Sequence, residues 1–171
     1  QLVQSRNVSE AIANGFALVP EDRRRQGLTL IHSLESNVSL PNLKKLCGRL
    51  FLRPRNVKRY ASEAIEEFGV KANSPSDPIS SLSGGNQQKI VIAKWFKKEP
   101  KILLMDEPTA GVDIGAKTEI IRIIRSFAKE KKSVLFISSE LSEVLKNGQI
   151  QKTIMRNEIH SEEELQHAVQ M

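Results

Sequence analysis

The residues Ile102-Leu103-Leu104-Met105-Asp106-Glu107-Pro108-Thr109 decide the fold of this chain. Four consecutive apolar residues predict a strand buried on both faces, as in a parallel sheet. Pro108 ends the strand abruptly, which makes a solvated acidic loop the weaker interpretation. The C-terminal tips of such strands are where an open α/β sheet binds its ligand. Two adjacent carboxylates at that tip are suited to holding Mg²⁺ through Asp106 and to polarising an attacking water through Glu107.

Other parts of the chain supply strands and helices around this segment. Apolar runs at Phe16–Val19 and 133–138 predict two more strands, and amphipathic spacing predicts helices over 55–68, 84–98 and 114–129. The fold class predicted is therefore α/β with a parallel sheet. The remaining predicted elements are a helix capped by Ser9 and running to Asn14, a charged loop over 21–26, a helix over 140–146, a strand pair over 149–159 and a helix capped by Ser161.

A second segment, Leu82-Ser83-Gly84-Gly85-Asn86-Gln87-Gln88-Lys89, opens the predicted helix over 84–98. A serine and two glycines at a helix start expose unpaired backbone N–H groups, to which the helix dipole adds partial positive charge. Such a tip suits a terminal phosphate, and glycine lets the phosphate approach the backbone. Taken alone, the pattern is more often a plain turn with a capping serine.

Composition excludes several classes of protein. The chain has 171 residues, 39% of them hydrophobic and 27% charged, a balance that can build a core and argues against disorder. A single cysteine, Cys47, excludes an internal disulfide framework and suits a reducing compartment. No apolar run approaches the roughly 20 residues that cross a bilayer, so we expect any membrane association to pass through a partner.

The net charge of +6 does not predict a nucleic-acid binder. The basic stretch over 44–59 contains only Phe51 as an aromatic residue and no groove-reading motif, so nucleic acid is not expected as a partner. We interpret this stretch as a solvated helical face, with contact to a membrane subunit or an anionic membrane surface as the alternative. The three scattered histidines have no metal-ligand spacing.

Two more segments follow the acid pair in order. Ala110-Gly111-Val112-Asp113 comes directly after it, and Phe136-Ile137-Ser138-Ser139-Glu140 ends the next predicted strand. In this combination the chain resembles the nucleotide-binding domain of an ATP-binding cassette (ABC) transporter. Residues 82–89 resemble the family signature, 102–109 the Walker B segment and 110–113 the D-loop. Residues 19–28 and 111–117 are similar to the second cassette of bacterial monosaccharide importers, in which one polypeptide carries two cassettes.

The resemblance implies a P-loop-NTPase-like parallel sheet with an inserted α-helical subdomain. Residues 1–33 and 99–171 would belong to the RecA-like ATPase core, and 34–98 would form the signature subdomain. It also implies two cassettes that sandwich two ATP molecules. Asp106 would hold Mg²⁺, and Glu107 would be the catalytic base. The residues expected to contact nucleotide are Ser83, Gly84, Gly85, Gln87, Glu21, Asp113 and Ser139.

The implied partners are a second cassette, transmembrane permease subunits and, indirectly, a periplasmic or extracellular sugar-binding protein. The implied location is peripheral, at the cytoplasmic face of the cell membrane. The loop over 21–26 and the helical subdomain would transmit closure of the cassette pair to the permease.

Three departures from the family pattern bear on these expectations. The sequence contains no Gly-x-x-x-x-Gly-Lys-Ser/Thr phosphate loop, so we expect it to correspond to the C-terminal two-thirds of one cassette and not to hydrolyse ATP alone. Glu21 stands where most cassettes have glutamine, and Ser139 where most have a histidine. The end of the chain after Leu145 also diverges.

These departures favour an alternative function, a degenerate cassette that acts as a non-catalytic interaction module. The intact Asp106-Glu107 pair opposes that alternative. A cassette ATPase of DNA repair or chromosome maintenance is disfavoured by the Pro20-Glu21-Asp22-Arg23 loop and by the lack of a long heptad-bearing insertion.

Overall fold

The structure is a computed structural model that describes residues 4–47, 51–130 and 132–139 of the chain. The chain divides into two compact units, one ending at Ile137 and the other beginning at Ser138. All elements named below belong to the first unit. Of the second, only Ser138 and Ser139 are described, so the elements predicted over 140–146 and 149–159 and the helix capped by Ser161 lie outside the described residues.

Three parallel strands form the sheet, in the order β1 (Phe16–Val19), β2 (Ile102–Asp106) and β3 (Ser133–Ile137). The register places Val19 beside Met105, and Met105 beside Phe136. Parallel strands need long crossover connections, and helices supply them here. The predicted α/β class with a parallel sheet is confirmed.

One face of this sheet is covered and the other is partly open among the described residues. Leu103 and Met105 are buried, whereas Ile102 and Leu104 are only half-buried and Leu18 on β1 is 49% exposed. The prediction that β2 is buried on both faces is therefore wrong. The strand over 133–137 is likewise only partly buried, because it lies at the edge of the described sheet.

The described part of the chain contains six α-helices. Their bounds are α1 Val8–Ala13, α2 Leu34–Ser39, α3 Leu43–Leu46, α4 Pro54–Glu67, α5 Gly84–Phe96 and α6 Ile114–Lys129. Short 3₁₀ turns cover Leu40–Asn42 and Ile79–Ser81. The helices predicted over 55–68, 84–98 and 114–129 are confirmed to within two residues at each end.

Two local predictions are wrong. Helix α1 begins before Ser9, because Asn7 caps it by accepting a hydrogen bond from the Glu10 backbone N–H at 2.9 Å. Most of the predicted charged loop is ordered as a π-helical turn, Arg23–Gly27, which we call the π-turn. Asp22 caps it, since its Oδ1 accepts hydrogen bonds from the N–H groups of Arg24 and Arg25 at 3.0 and 3.1 Å.

Helix α5 occupies the centre of the first unit. It contacts β1, α2, α4 and α6, and the side chains of Ile90, Val91, Ile92 and Ala93 are fully buried. Because four consecutive residues point in different directions around a helix axis, their burial places this part of α5 in the core rather than on a surface. Every described element between α2 and α5 is helical, while the division into an ATPase core and a signature subdomain over 34–98 stays a prediction.

We predict that Ile90→Ala lowers the free energy of unfolding by about 2–5 kcal/mol, because the truncation leaves a cavity at a fully buried position. Ile114→Ala is the matched control: the same side chain is 84% exposed at the start of α6, and the expected change is within about 0.5 kcal/mol. Urea unfolding followed by circular dichroism measures both. Equal effects of the two substitutions would contradict the central position of α5.

Candidate functional site

The carboxyl ends of β1 and β2 place three acidic residues at one edge of the sheet. Asp106 is the last residue of β2, and Glu107 follows it; Glu21 stands two residues beyond Val19 on the neighbouring strand. Asp106 and Glu107 are half-buried, and Glu21 is exposed. This edge is where the sequence predicted a ligand site.

Glu107 has an unusual backbone conformation. Its φ is +44°, in the left-handed region, and its N–H donates a hydrogen bond to the Ile137 carbonyl at 2.9 Å. Left-handed conformations of residues other than glycine are energetically unfavourable and cluster at functional sites. The conformation also begins a tight turn, in which the Ala110 N–H donates to the Glu107 carbonyl at 3.0 Å. Glu107 is therefore held at the strand tip by its own backbone.

The tip of α5 carries the serine and glycines. Ser83 caps the helix and is exposed, and its Oγ accepts a hydrogen bond from Asn86 Nδ2 at 3.0 Å. The other amide atom of Asn86 is also engaged, because Oδ1 accepts from the Lys71 N–H at 2.9 Å. The capping role predicted for Ser83 is confirmed, and the tip is open on the serine side.

The two glycines pack against residues that the sequence did not indicate. A Cβ added to Gly85 would lie 2.6 Å from the Cβ of Ala116 on α6, and one added to Gly84 would lie 2.8 Å from a guanidinium nitrogen of Arg23. Close packing within the chain therefore already demands glycine at Gly85, while a side chain at Gly84 would displace the Arg23 guanidinium. Access for a phosphate is not the only explanation of the pair.

Gln87 points into the protein. The residue is 2% exposed, and its Nε2 donates hydrogen bonds to the carbonyls of Leu82 and Ile79 at 3.0 and 3.3 Å. Its Oε1 is buried and has no hydrogen-bond partner among the described residues. In this position Gln87 fixes the turn that leads into α5, and its predicted contact with nucleotide stays a prediction.

Asp113 caps α6 beside the tip of α5. Its Oδ1 accepts a hydrogen bond from the Ala116 N–H at 2.9 Å, which is the main reason why the pKa of Asp113 lies below its ordinary value. Its Oδ2 would be 3.6 Å from a Cβ placed on Gly85. The starts of α5 and α6 are therefore neighbours, and Asp113 has a structural role whether or not it contacts a ligand.

A cavity of about 210 Å³ lies between these two helix starts. Its charged lining consists of Lys71, Lys89, Asp113 and Glu119. Lys89 is buried, forms an ion pair with Glu119, and donates to the Gly69 carbonyl at 2.9 Å. The hydrogen bond from Lys89 is the main cause that lowers the pKa of Glu119. Since both partners are engaged with each other, this pair fixes α5 against α6.

Arg23 is the residue of the site that sequence reasoning missed. Its two terminal nitrogens donate to the carbonyls of Ala110 and Gly111 at 3.0 and 3.4 Å, and burial lowers the pKa of the guanidinium. The residue is one of three consecutive arginines, of which Arg24 and Arg25 are exposed. Nothing in an Arg-Arg-Arg run indicates which member is partly buried and bonded to a distant loop, so only tertiary structure identifies it.

The first unit thus brings together most of the predicted residues. Gly84, Gly85 and Asp113 lie side by side, and the tight turn after Glu107 leads to the same place. Glu21 and Asp106 share the neighbouring sheet edge. Ser139 belongs to the second unit and is exposed, so it is assigned no place in this arrangement.

The chemistry available at the sheet edge is that of a few carboxylates rather than a complete metal cage. Over 4–47, 51–130 and 132–139 there is no group of three or more His, Cys, Asp or Glu side chains placed to hold a metal ion. A site of that kind suits Mg²⁺, which takes one or two protein carboxylates and completes its shell with water and substrate phosphates. Within the same ranges, every helix is too short or too polar to span a bilayer.

Comparison with known proteins shows which proteins the chain is similar to. A family model described as "ABC transporter" matches residues 3–110. The ribose import ATP-binding protein of Shouchella clausii is 40% identical over 92% of the chain and 33% of its own length. The galactose/methyl galactoside import ATP-binding protein of Pasteurella multocida is 41% identical over 96% of the chain and 34% of its own length. The chain therefore spans about a third of the length of these relatives.

Solved structures show the fold. The dimeric structure of an ATP-binding cassette in a post-hydrolysis state, bound to ADP and phosphate, has a TM-score of 0.64 at 22% identity, covering 77% of this chain and 56% of that one. A dimeric bacterial ABC transporter cassette has a TM-score of 0.61 at 23% identity, covering 75% and 53%. The parallel sheet and its helices therefore have the fold of a P-loop NTPase.

We predict that Gly85→Ala destabilises the protein by about 1–3 kcal/mol, because the new methyl group overlaps that of Ala116. The double variant Gly85→Ala, Ala116→Gly should recover most of this lost stability, because it removes the overlap. The new glycine in α6 itself costs at most about 1 kcal/mol. Urea unfolding of the single and double variants measures the coupling between the two positions. Strictly additive effects would show that the contact does not constrain Gly85.

Proposed function

Because the chain belongs to the ABC transporter family, we propose that it is part of the ATP-binding and ATP-hydrolysing subunit of an importer, and that it carries that subunit's signature helix. The observation that supports this most is the meeting of two motifs in the first unit. The α5 tip lies against the turn that follows Asp106 and Glu107, and Arg23 contacts both. An ABC ATPase needs both a signature tip and a strand-end acid pair.

The proposed substrate of the complete importer is a sugar. Relatives that are 38–46% identical are described as import or transport ATP-binding proteins for ribose, galactose or L-arabinose. Since the chain spans only about a third of their length, the transported solute is inferred from these names and not from a binding site in this chain. The proposed partners are permease subunits and, through them, a sugar-binding protein outside the membrane.

The proposed roles of the residues follow from their positions. Bound Mg²⁺ would supply charge neutralisation at the phosphates, and the carboxylate of Asp106 at the strand tip would hold it. Glu107 would accept a proton from a water molecule. Its left-handed backbone, held at the strand tip, would fix the direction from which its carboxylate meets that water. Glu21 on the neighbouring strand end would contact the same site.

The proposed signature contact is made with ATP bound by a second cassette. Ser83 is exposed, and the first N–H groups of α5 point out of the helix beside it, so Ser83 and Gly84 are the residues placed to contact a γ-phosphate. Gln87, whose side chain is buried, would act by holding the turn before the helix. Asp113 and Gly85 would support the tip from the α6 side. A second cassette agrees with the dimeric state of the structural neighbours.

The proposed location is the cytoplasmic face of the cell membrane, with attachment through the permease. The region between β1 and α2 has an exposed apolar side chain that a partner protein would cover, because Ile31 is 85% exposed. The permease is the partner proposed for this surface, together with the neighbouring π-turn.

The alternative is a non-catalytic cassette that binds partners without turnover. The observation that favours it is Ser139, which stands where most cassettes have a histidine. In that case the signature tip could still complete an ATP site on another cassette, while the Asp106-Glu107 edge would not turn over a nucleotide of its own.

We predict that Glu107→Gln lowers kcat for ATP hydrolysis by about 100-fold or more, because a general base at this position contributes that much. The assay uses the protein as its gene encodes it, reconstituted with its permease. Glu99→Gln is the matched control: Glu99 has the same left-handed backbone, with φ of 57° against 44°, but precedes β2 instead of following it. Its kcat should stay within about twofold of wild type.

Two outcomes would change the assignment. Hydrolysis that persists in Glu107→Gln would remove Glu107 as the catalytic base. No hydrolysis in the wild type, in Glu107→Gln or in Ser139→His would favour the non-catalytic alternative.

A further inference from the structure

Arg23 contacts two segments that are distant in sequence. Its guanidinium donates to the Ala110 and Gly111 carbonyls at 3.0 and 3.4 Å. On the other side it lies against the α5 tip, since a Cβ on Gly84 would be 2.8 Å from Nη2. Three separate segments therefore meet at one side chain: the π-turn, the loop after Glu107 and the start of α5.

The π-turn is also anchored at its far end. Lys94 is buried on α5, and its Nζ donates to the Gly27 carbonyl; a Cβ on Gly27 would lie 3.0 Å from a methyl group of Val91. The two contact points on α5, Gly84 and Lys94, are ten residues or roughly 15 Å apart. The π-turn thus contacts α5 both at the helix tip and near the helix end. Asp22 in turn caps the π-turn.

The partners of Arg23 are two backbone carbonyls, so Arg23 holds the loop over 110–113 by the geometry of its donors as well as by its charge. A guanidinium presents a planar set of donors that can reach two successive carbonyls at once, whereas a lysine ammonium is a compact point charge. The remaining nitrogen, Nε, is buried and has no hydrogen-bond partner among the described residues. The neighbouring side chains of Arg24 and Arg25 are exposed, and neither makes such a contact across the described chain.

We propose that Arg23 is a positioning residue that holds the loop over 110–113 against the α5 tip, so that both move together with the π-turn. This inference rests on the proposed function, in which the tip contacts a neighbour's nucleotide and Glu107 stands at the start of the same loop. Arg23 itself touches no nucleotide. It acts by fixing the distance between the signature tip and the loop after the catalytic carboxylate.

The test compares Arg23→Ala and Arg23→Lys with Arg24→Ala in the protein as its gene encodes it, together with its permease. Amide hydrogen exchange of residues 84–87 and 110–113 should be at least about fivefold faster in Arg23→Ala, because both segments lose a shared contact. Arg23→Lys should restore less than half of the protection, and it tests the same contact if Arg23→Ala does not fold. Arg24→Ala should exchange like wild type.

The kinetic part of the test separates positioning from structural support. With Mg²⁺-ATP as substrate, kcat should fall about tenfold in Arg23→Ala while KM stays within about twofold, since Arg23 does not contribute to ground-state binding. Faster exchange with unchanged kcat would overturn the proposal and leave Arg23 a structural role only. Unchanged exchange would overturn it as well.

A wild-type protein without ATP turnover would contradict the proposed function. The exchange measured on the same samples would still decide whether Arg23 fixes the two segments, so the two failures are distinguishable.

Discussion

The burial of polar side chains on α5 constrains the rest of the first unit. Gln87, Lys89 and Lys94 are all buried in this helix. A buried amide or ammonium group needs a partner, and each finds one outside the helix: the carbonyls of Leu82, Gly69 and Gly27 respectively. Apolar packing alone would tolerate small rotations of a central helix. Directed contacts on two opposite sides do not: Gln87 and Lys94, seven residues apart, share one side of the helix, and Lys89 lies on the other. The position of the helix tip is therefore set by contacts of its buried polar side chains.

The edge of the sheet is fixed by a different kind of interaction, the backbone ladder. Val19, Met105 and Phe136 lie side by side in register, which brings the ends of the strands to one line. Glu107 leaves this line in a left-handed conformation and leads into the turn that ends at Ala110. The helix tip and the acid pair are thus positioned by different interactions, one by buried polar contacts and the other by strand register. The two systems touch where Arg23 contacts the loop after Glu107 and where Gly85 packs on Ala116.

Much of the fold could be predicted from sequence because the decisive signals are local. The apolar run before Asp106 and the periodicity of α6 need no knowledge of neighbours, and both elements were found with nearly correct bounds. The degree of burial could not be predicted, since it depends on which elements cover each face; Leu18 and Ile137 are half exposed for this reason. The π-turn was missed because its cap, Asp22, looks like any charge in a charged loop.

In the candidate site, too, local features could be predicted from the sequence and tertiary contacts could not. The two glycines of the α5 tip show this. The pattern of a serine and two glycines correctly located a helix start, but the reason for each glycine lies in residues far along the chain. Gly85 is covered by Ala116, so a ligand cannot approach its Cα from the α6 side, whereas Ser83 remains exposed. In the proposed function, a phosphate would therefore approach the exposed serine side of the tip, with Gly84 between that side and the packed Gly85. A glycine required by packing leaves its backbone N–H in place, so the demand of the fold and that of a ligand are compatible at these positions.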